Sequence, residues 1–167
     1  MAKIKGLEIK GLKNYRGHEG EPLHQGNIYL NGKKVGFYSE GDWGGPATVD
    51  YDTKEAKDEI KVIVDLYFKE NPPEYDFANT DEYFFRDLVS LLLDEKDFKA
   101  AIKRGYAMLF VADAKYEAGK PLLIPQVYSI PEHLTTPDEM DKFRGELLAK
   151  GYNKFKEYNT LADFIIN

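Results

Sequence analysis

Between Gly26 and Tyr38 apolar and polar residues alternate on both sides of an Asn31-Gly32 pair. Both residues tolerate positive φ, which the two central positions of a type I′ turn require, so the pattern predicts a β-hairpin. A two-residue turn sets the register: Leu30 opposite Lys33, Tyr29 opposite Lys34, Ile28 opposite Val35. Ile28, Leu30, Val35 and Phe37 then share one face, and Tyr29, Lys34 and Tyr38 share the other. Upstream, Ile4, Leu7, Ile9 and Leu12 place a strand pair or one long bent strand in residues 2–16, with a bulge where Gly6 and Gly11 interrupt the alternation. Residues 17–26 and 39–46 have loop composition. Ala47, Val49 and Tyr51 then line one side of a further strand. The opening 51 residues read as a small, mostly antiparallel sheet.

The period changes after Asp52. Ala56, Ile60, Ile63, Val64 and Tyr67 fit one face of a helix over 53–70, while Ile60, Val62, Val64, Leu66 and Phe68 fit a strand equally well. A capping box of Asp52 with Glu55, the length and the run of good helix formers favour the helix, and Asn71-Pro72-Pro73 ends it. A second box, Asn79 with Glu82, opens a helix to about Leu93 with Phe84, Phe85, Leu88, Leu91 and Leu92 inward. Asp94 then caps a short further helix carrying Phe98, Ala101 and Ile102, with Gly105 at its end. Tyr106 to Ala112 reads as a buried strand and Leu122 to Ser129 as its hairpin partner, with Pro125 restricting that partner to an edge or bulge. Thr136-Pro137-Asp138-Glu139 starts a last helix, with Met140, Phe143, Leu147 and Leu148 inward and Gly151 as its stop. The tail from Phe155 to Ile166 is apolar enough to dock.

These elements define an α+β fold: an N-terminal antiparallel sheet packed against three or four helices, with a second hairpin around 106–129. No linker or repeat divides the 167 residues, so a single domain is expected: 1–51 mainly β, 52–105 mainly α, 106–129 a hairpin, 130–167 helix plus docked tail. An apolar content of 43%, with 12 Tyr and 10 Phe, supplies a core and argues against disorder. With no cysteine, disulfides, thiolate metal sites and cysteine nucleophiles are excluded. The first residues lack the apolar segment of a signal peptide, and no run reaches the length of a spanning helix, so a cytoplasmic location is expected.

The net charge of −6 is unevenly spread. Residues 1–36 hold 7 basic against 3 acidic side chains, residues 37–97 hold 6 against 17, and residues 98–167 hold 10 against 9. A basic front and an acidic middle can orient a partner, or the acids can simply solvate helix faces. His18 and His24 share a loop with Glu19 and Glu21, but their spacing matches no ligand motif, and no metal or cofactor is implied. Gly-x-Ser-x-Gly is absent. The glycine-rich segment 41–46 precedes a strand and lacks the lysine of a phosphate-binding loop, so it reads as an interstrand turn. No carboxylate pair among the 29 acids stands out as catalytic.

Several landmarks occur together: Ile9-Lys10-Gly11-Leu12-Lys13, Gly17-x-Glu19-Gly20, the 30–35 hairpin, Gly44-Gly45, Pro72-Pro73, and Lys103-Arg104 before an apolar strand. In this order they resemble a loose family of small proteins from bacteria, phages and prophages with no assigned activity. The resemblance implies a mobile-element setting and a helix over 53–70, and it carries over no functional residue. The expected function is a non-enzymatic accessory protein that binds and modulates a host or phage protein. Candidate partner-binding residues are Tyr29, Lys34, Tyr38 and Trp43 in the front sheet and its loop, and Asp76, Asp81, Glu82 and Asp87 in the acidic stretch. One alternative is a single-stranded nucleic-acid binder using Tyr29, Lys34 and Tyr38 as a stacking face. Another is an enzyme whose carboxylate and histidine groups meet only in space.

Overall fold

The structure, a computed structural model, describes residues 1–42, 45–73, 80–115 and 117–167. Its strands are β1 (Lys3–Ile4), β2 (Leu7–Arg16), β3 (Pro22–Leu30), β4 (Lys33–Ser39), β5 (Thr48–Tyr51), β6 (Met108–Asp113), β7 (Gln126–Ile130), β8 (Lys154–Tyr158) and β9 (Ile165–Ile166). Its helices are α1 (Lys54–Glu70), α2 (Asp81–Lys103) and α3 (Pro137–Ala149). This is an α+β fold with a large, antiparallel-dominated sheet of order β5-β4-β3-β2-β1-β9 and a smaller one of order β7-β6-β8. Among the described residues, only the β1–β9 pairing is parallel. The chain falls into two compact units, residues 1–93 with 165–167 and residues 94–164. The division lies inside α2, between Leu93 and Asp94, so no linker-like composition marks it.

Two tight turns organise one end of the larger sheet. Asn31 and Gly32 have φ of 49° and 84°, and Lys5 and Gly6 have 47° and 82°, the left-handed pair a type I′ turn needs. The turns touch: the Asn31 N–H donates to the Gly6 carbonyl at 3.1 Å. The hairpin begins in the expected register, Leu30 opposite Lys33 and Tyr29 opposite Lys34, but Ile28 then faces Gly36, because a bulge absorbs Val35. One extra residue flips every later side chain. Tyr38 therefore lies opposite Gly26 on the core side and is fully buried, while Phe37 turns outward and is half-buried. The shift places glycines where side chains have no room. A Cβ at Gly36 would lie 2.4 Å from the Asp50 carbonyl oxygen, and one at Gly26 would lie 2.5 Å from the Ile9 Cγ2. The bulge expected near Gly11 is present between Lys10 and Lys13, with Gly11 at φ 65°.

Residues 60–68 are helical. Ala56, Ile60, Val64, Tyr67 and Phe68 face inward, while Val62 and Leu66, which a strand pattern would bury, are 59% and 47% exposed. The cap is Thr53, whose hydroxyl accepts from the Ala56 N–H at 3.1 Å. Asp52 is still tied to the sheet, its N–H donating to the Val35 carbonyl at 2.9 Å, so the helix starts one residue later than the Asp52–Glu55 box implies. The Asn79 box lies outside the described residues. α2 runs unbroken through Asp94, which is not a cap but a buried side chain. It ends at Gly105 (φ 87°), where Gly105 and Tyr106 N–H groups donate to the Ile102 and Ala101 carbonyls, a Schellman close.

In residues 94–164, β6 is buried throughout apart from Asp113 and pairs on both sides. It packs with Ile130, Met140, Leu147 and Tyr152. The expected hairpin is thus the core of a three-stranded sheet, whose third strand, β8, comes from the tail. β7 begins only after Pro125, which has no N–H to give the ladder, and Leu122 stays outside it. α3 starts as its sequence predicts, with the Thr136 hydroxyl accepting from the Glu139 N–H at 3.4 Å. Met140 and Leu147 are buried and Phe143 is half-buried, but Leu148 is turned outward. The chain then returns to the larger sheet, where Ile165 and Ile166 pair with Lys3 and Ile4.

Candidate functional site

Cross-strand partners share a face, so the ladder aligns two outward rows on the larger sheet. One row is Glu8, Tyr29 and Lys34; the other is Lys10, Asn27, Phe37 and Asp50. Lys10 Nζ lies 4.5 Å from the centre of the Tyr29 ring, a cation–π distance. It also sits 3.1 Å from one oxygen of Glu8, while Lys3 Nζ is 3.7 Å from the other. Glu8 is buried beneath these lysines, and Lys34 is exposed. The result is a basic, aromatic surface on a chain of net negative charge. Of the residues expected here, Tyr29 and Lys34 meet as predicted; Tyr38 belongs to the core, its ring 5.9 Å from that of Phe85. Trp43 lies outside the described residues.

The acidic candidates that the structure describes make contacts within the chain. Asp81 accepts a hydrogen bond from the Tyr51 hydroxyl, and Asp87 accepts from the Tyr67 hydroxyl at 3.0 Å. Glu82 pairs with Arg86 one turn on, at 3.1 Å. Asp94 accepts from the Tyr158 hydroxyl at 2.8 Å. Carboxylates along α2 thus fasten tyrosines arriving from β5, α1 and β8. Burial, with the adjacent carboxylate, pushes the pKa of each of these tyrosines well above the usual phenol range. Burial also raises the Asp94 carboxyl, against the opposing pull of Tyr158 and Lys156. Asp76 lies outside the described residues.

A third cluster comes from the bulge itself. Beyond it the register places His24 beside Glu40, two residues that unbroken pairing would keep out of step. The Glu40 Oε2 accepts from the His24 N–H at 2.7 Å and lies 3.0 Å from its Nδ1, and the Tyr38 hydroxyl donates to Oε1 at 2.9 Å. The Tyr15 hydroxyl donates to the Glu40 carbonyl. His24 is a buried residue of β3 rather than part of a loop with His18. A hairpin count from Asn31-Gly32 that allowed one bulge would have found this pair. The cluster ties β2, β3 and β4 together, and neither of two clefts in residues 94–164 is lined by it. Among the described residues, no group of three or more histidines and carboxylates is placed to hold a metal ion, and no helix is long and apolar enough to cross a membrane. Comparison with family models, curated proteins and solved structures finds no match to this chain.

Proposed function

We propose that the protein is a non-enzymatic accessory protein of a phage or other mobile element, acting in the cytoplasm, that binds an acidic patch on a host or phage protein through the outer face of its larger sheet. The observation that carries this reading is the Lys10–Tyr29 stack with Lys3 and Lys34 around it. Ring and ammonium together provide an apolar contact with a fixed charge beside it, the combination that anchors protein interfaces. In this reading α1 and α2 cover the opposite side of the sheet and leave this face open. The mobile-element setting rests on the resemblance of the turn and strand motifs.

The test is affinity capture from host lysate over a series of salt concentrations, using the native chain beside Lys34→Glu and Tyr29→Ala. A captured protein that is lost with either variant, and weakens as salt rises, is the expected result. Recovery of the chain alone at every salt concentration would reject the proposal. The same stack supports a second reading, single-stranded nucleic-acid binding, since bases stack on aromatic rings flanked by cations. A low-salt gel shift weakened by Tyr29→Ala and Lys34→Ala would favour it over the protein partner.

A further inference from the structure

A cleft of about 350 Å³ lies in residues 94–164, between the segment that follows β6 and the last turn of α3. Its walls are tied together. The Lys115 N–H donates to the Asn153 side-chain oxygen at 2.8 Å, the Asn153 N–H to the Asp113 carbonyl at 3.0 Å, and the Tyr152 hydroxyl to the Ile124 carbonyl at 3.1 Å. Gly151 closes α3 at φ 97°, and Leu123 packs where its side chain would be: a Cβ there would lie 3.1 Å from the Leu123 Cδ1. The cleft is therefore formed before any ligand arrives, and its volume falls in the range of small-molecule sites.

Its chemistry is two-sided. Lys115, Lys120 and Lys150 line it with one acid, Glu117, which pairs with Lys120. Two positive charges remain in excess, the reverse of the chain as a whole. Leu123 and Leu148 supply an apolar wall. Leu148 is 55% exposed and Leu123 is half-buried. An exposed leucine alone needs no explanation, but two leucines walling a preformed cationic cleft give a ligand's apolar part a surface to cover. A phosphate or nucleotide would leave the leucines in water, and a neutral hydrocarbon would leave the charges of Lys115 and Lys150 unanswered.

We propose that this cleft binds an anionic amphiphile, an aliphatic chain ending in a carboxylate, with the head between the three lysines and the chain along Leu123 and Leu148. The site is independent of the sheet face. Amide chemical shifts of the whole chain, titrated with octanoate below its micelle-forming concentration, test it against butyrate and 1-octanol. Octanoate should shift the Lys115, Leu123, Gly151 and Asn153 amides and bind about tenfold more tightly than either comparison compound, one lacking the chain length and the other the charge. Lys115→Gln and Lys150→Gln should each weaken binding roughly fivefold, and Leu148→Ser should weaken it without unfolding the chain, because that side chain is already exposed. Equal binding of the three compounds, or binding untouched by these variants, would overturn the proposal. Sedimentation with phosphatidylglycerol vesicles separates the sources: pelleting that octanoate suppresses identifies bilayer lipid as a donor of the ligand. Pelleting that octanoate leaves unchanged, with no shifts at the cleft, would reduce the feature to a membrane-surface contact and remove the site.

Discussion

The Asp94 carboxyl sits where a charge is costly, and the Tyr158 hydroxyl gives it a hydrogen-bond partner there. Its pKa is raised in the folded chain, so it contributes stability that is fully present below the unfolded carboxyl value and lost as pH rises through the folded one. Asp94→Asn keeps an acceptor for Tyr158 and removes the need to ionise a buried group, so at neutral pH its denaturant midpoint should equal or exceed that of the native chain. Asp94→Ala leaves the hydroxyl unpaired and should cost about 1–3 kcal/mol. Asp163 behaves oppositely. The Thr160 and Asn159 N–H groups, at 2.8 Å and 2.7 Å, hold its pKa down. Its contribution is present at neutral pH and disappears as pH falls through that lowered value, so Asp163→Asn should flatten the acid limb of a stability profile measured by denaturant titration. None of the pairs between α2 carboxylates and tyrosines could be read from the sequence, because each joins residues from different elements. The acids of α2 looked like a solvated or partner-seeking stretch for the same reason.

Elements were legible where their cause is local. The Asn31-Gly32 turn, the Thr136 cap, the Gly105 and Gly151 stops and the inward stripe of α1 each depend on a few neighbouring residues. The Val35 bulge depends on what lies across the sheet, and it decides which aromatic residue enters the core. Gly36→Ala tests that account: its Cβ would meet the Asp50 carbonyl oxygen of β5 at 2.4 Å. Overpacking of this kind should cost about 1–3 kcal/mol, read as a lowered denaturant midpoint with unchanged slope, since one of the two backbones must move. Thr53→Ala, which removes the cap of α1, should cost about 1 kcal/mol. β8 escaped notice because Phe155 alternates with Lys154 and Lys156 over only a few residues. It becomes a strand because β6 has a second edge to satisfy.

Across the whole molecule, the charge imbalance and the candidate binding face pull in different directions. The net charge of −6 opposes polyanions at long range, while the Lys3, Lys10 and Lys34 face invites an acidic partner at short range. Raising salt should therefore weaken capture of the protein partner by native chain more than by Lys34→Gln, which removes one of these charges without reversing it. Amide exchange should be slowest in β6, which is paired on both edges and almost wholly buried. The return of Ile165 and Ile166 to β1 has a further consequence for synthesis. On the ribosome, residues 94–164 are all made between the two pieces of the first unit. Until Ile165 emerges, the nascent polypeptide carries β1 with a bare flank able to recruit a neighbouring chain, and the seam from Lys3 to Ile166 is the last to zip shut.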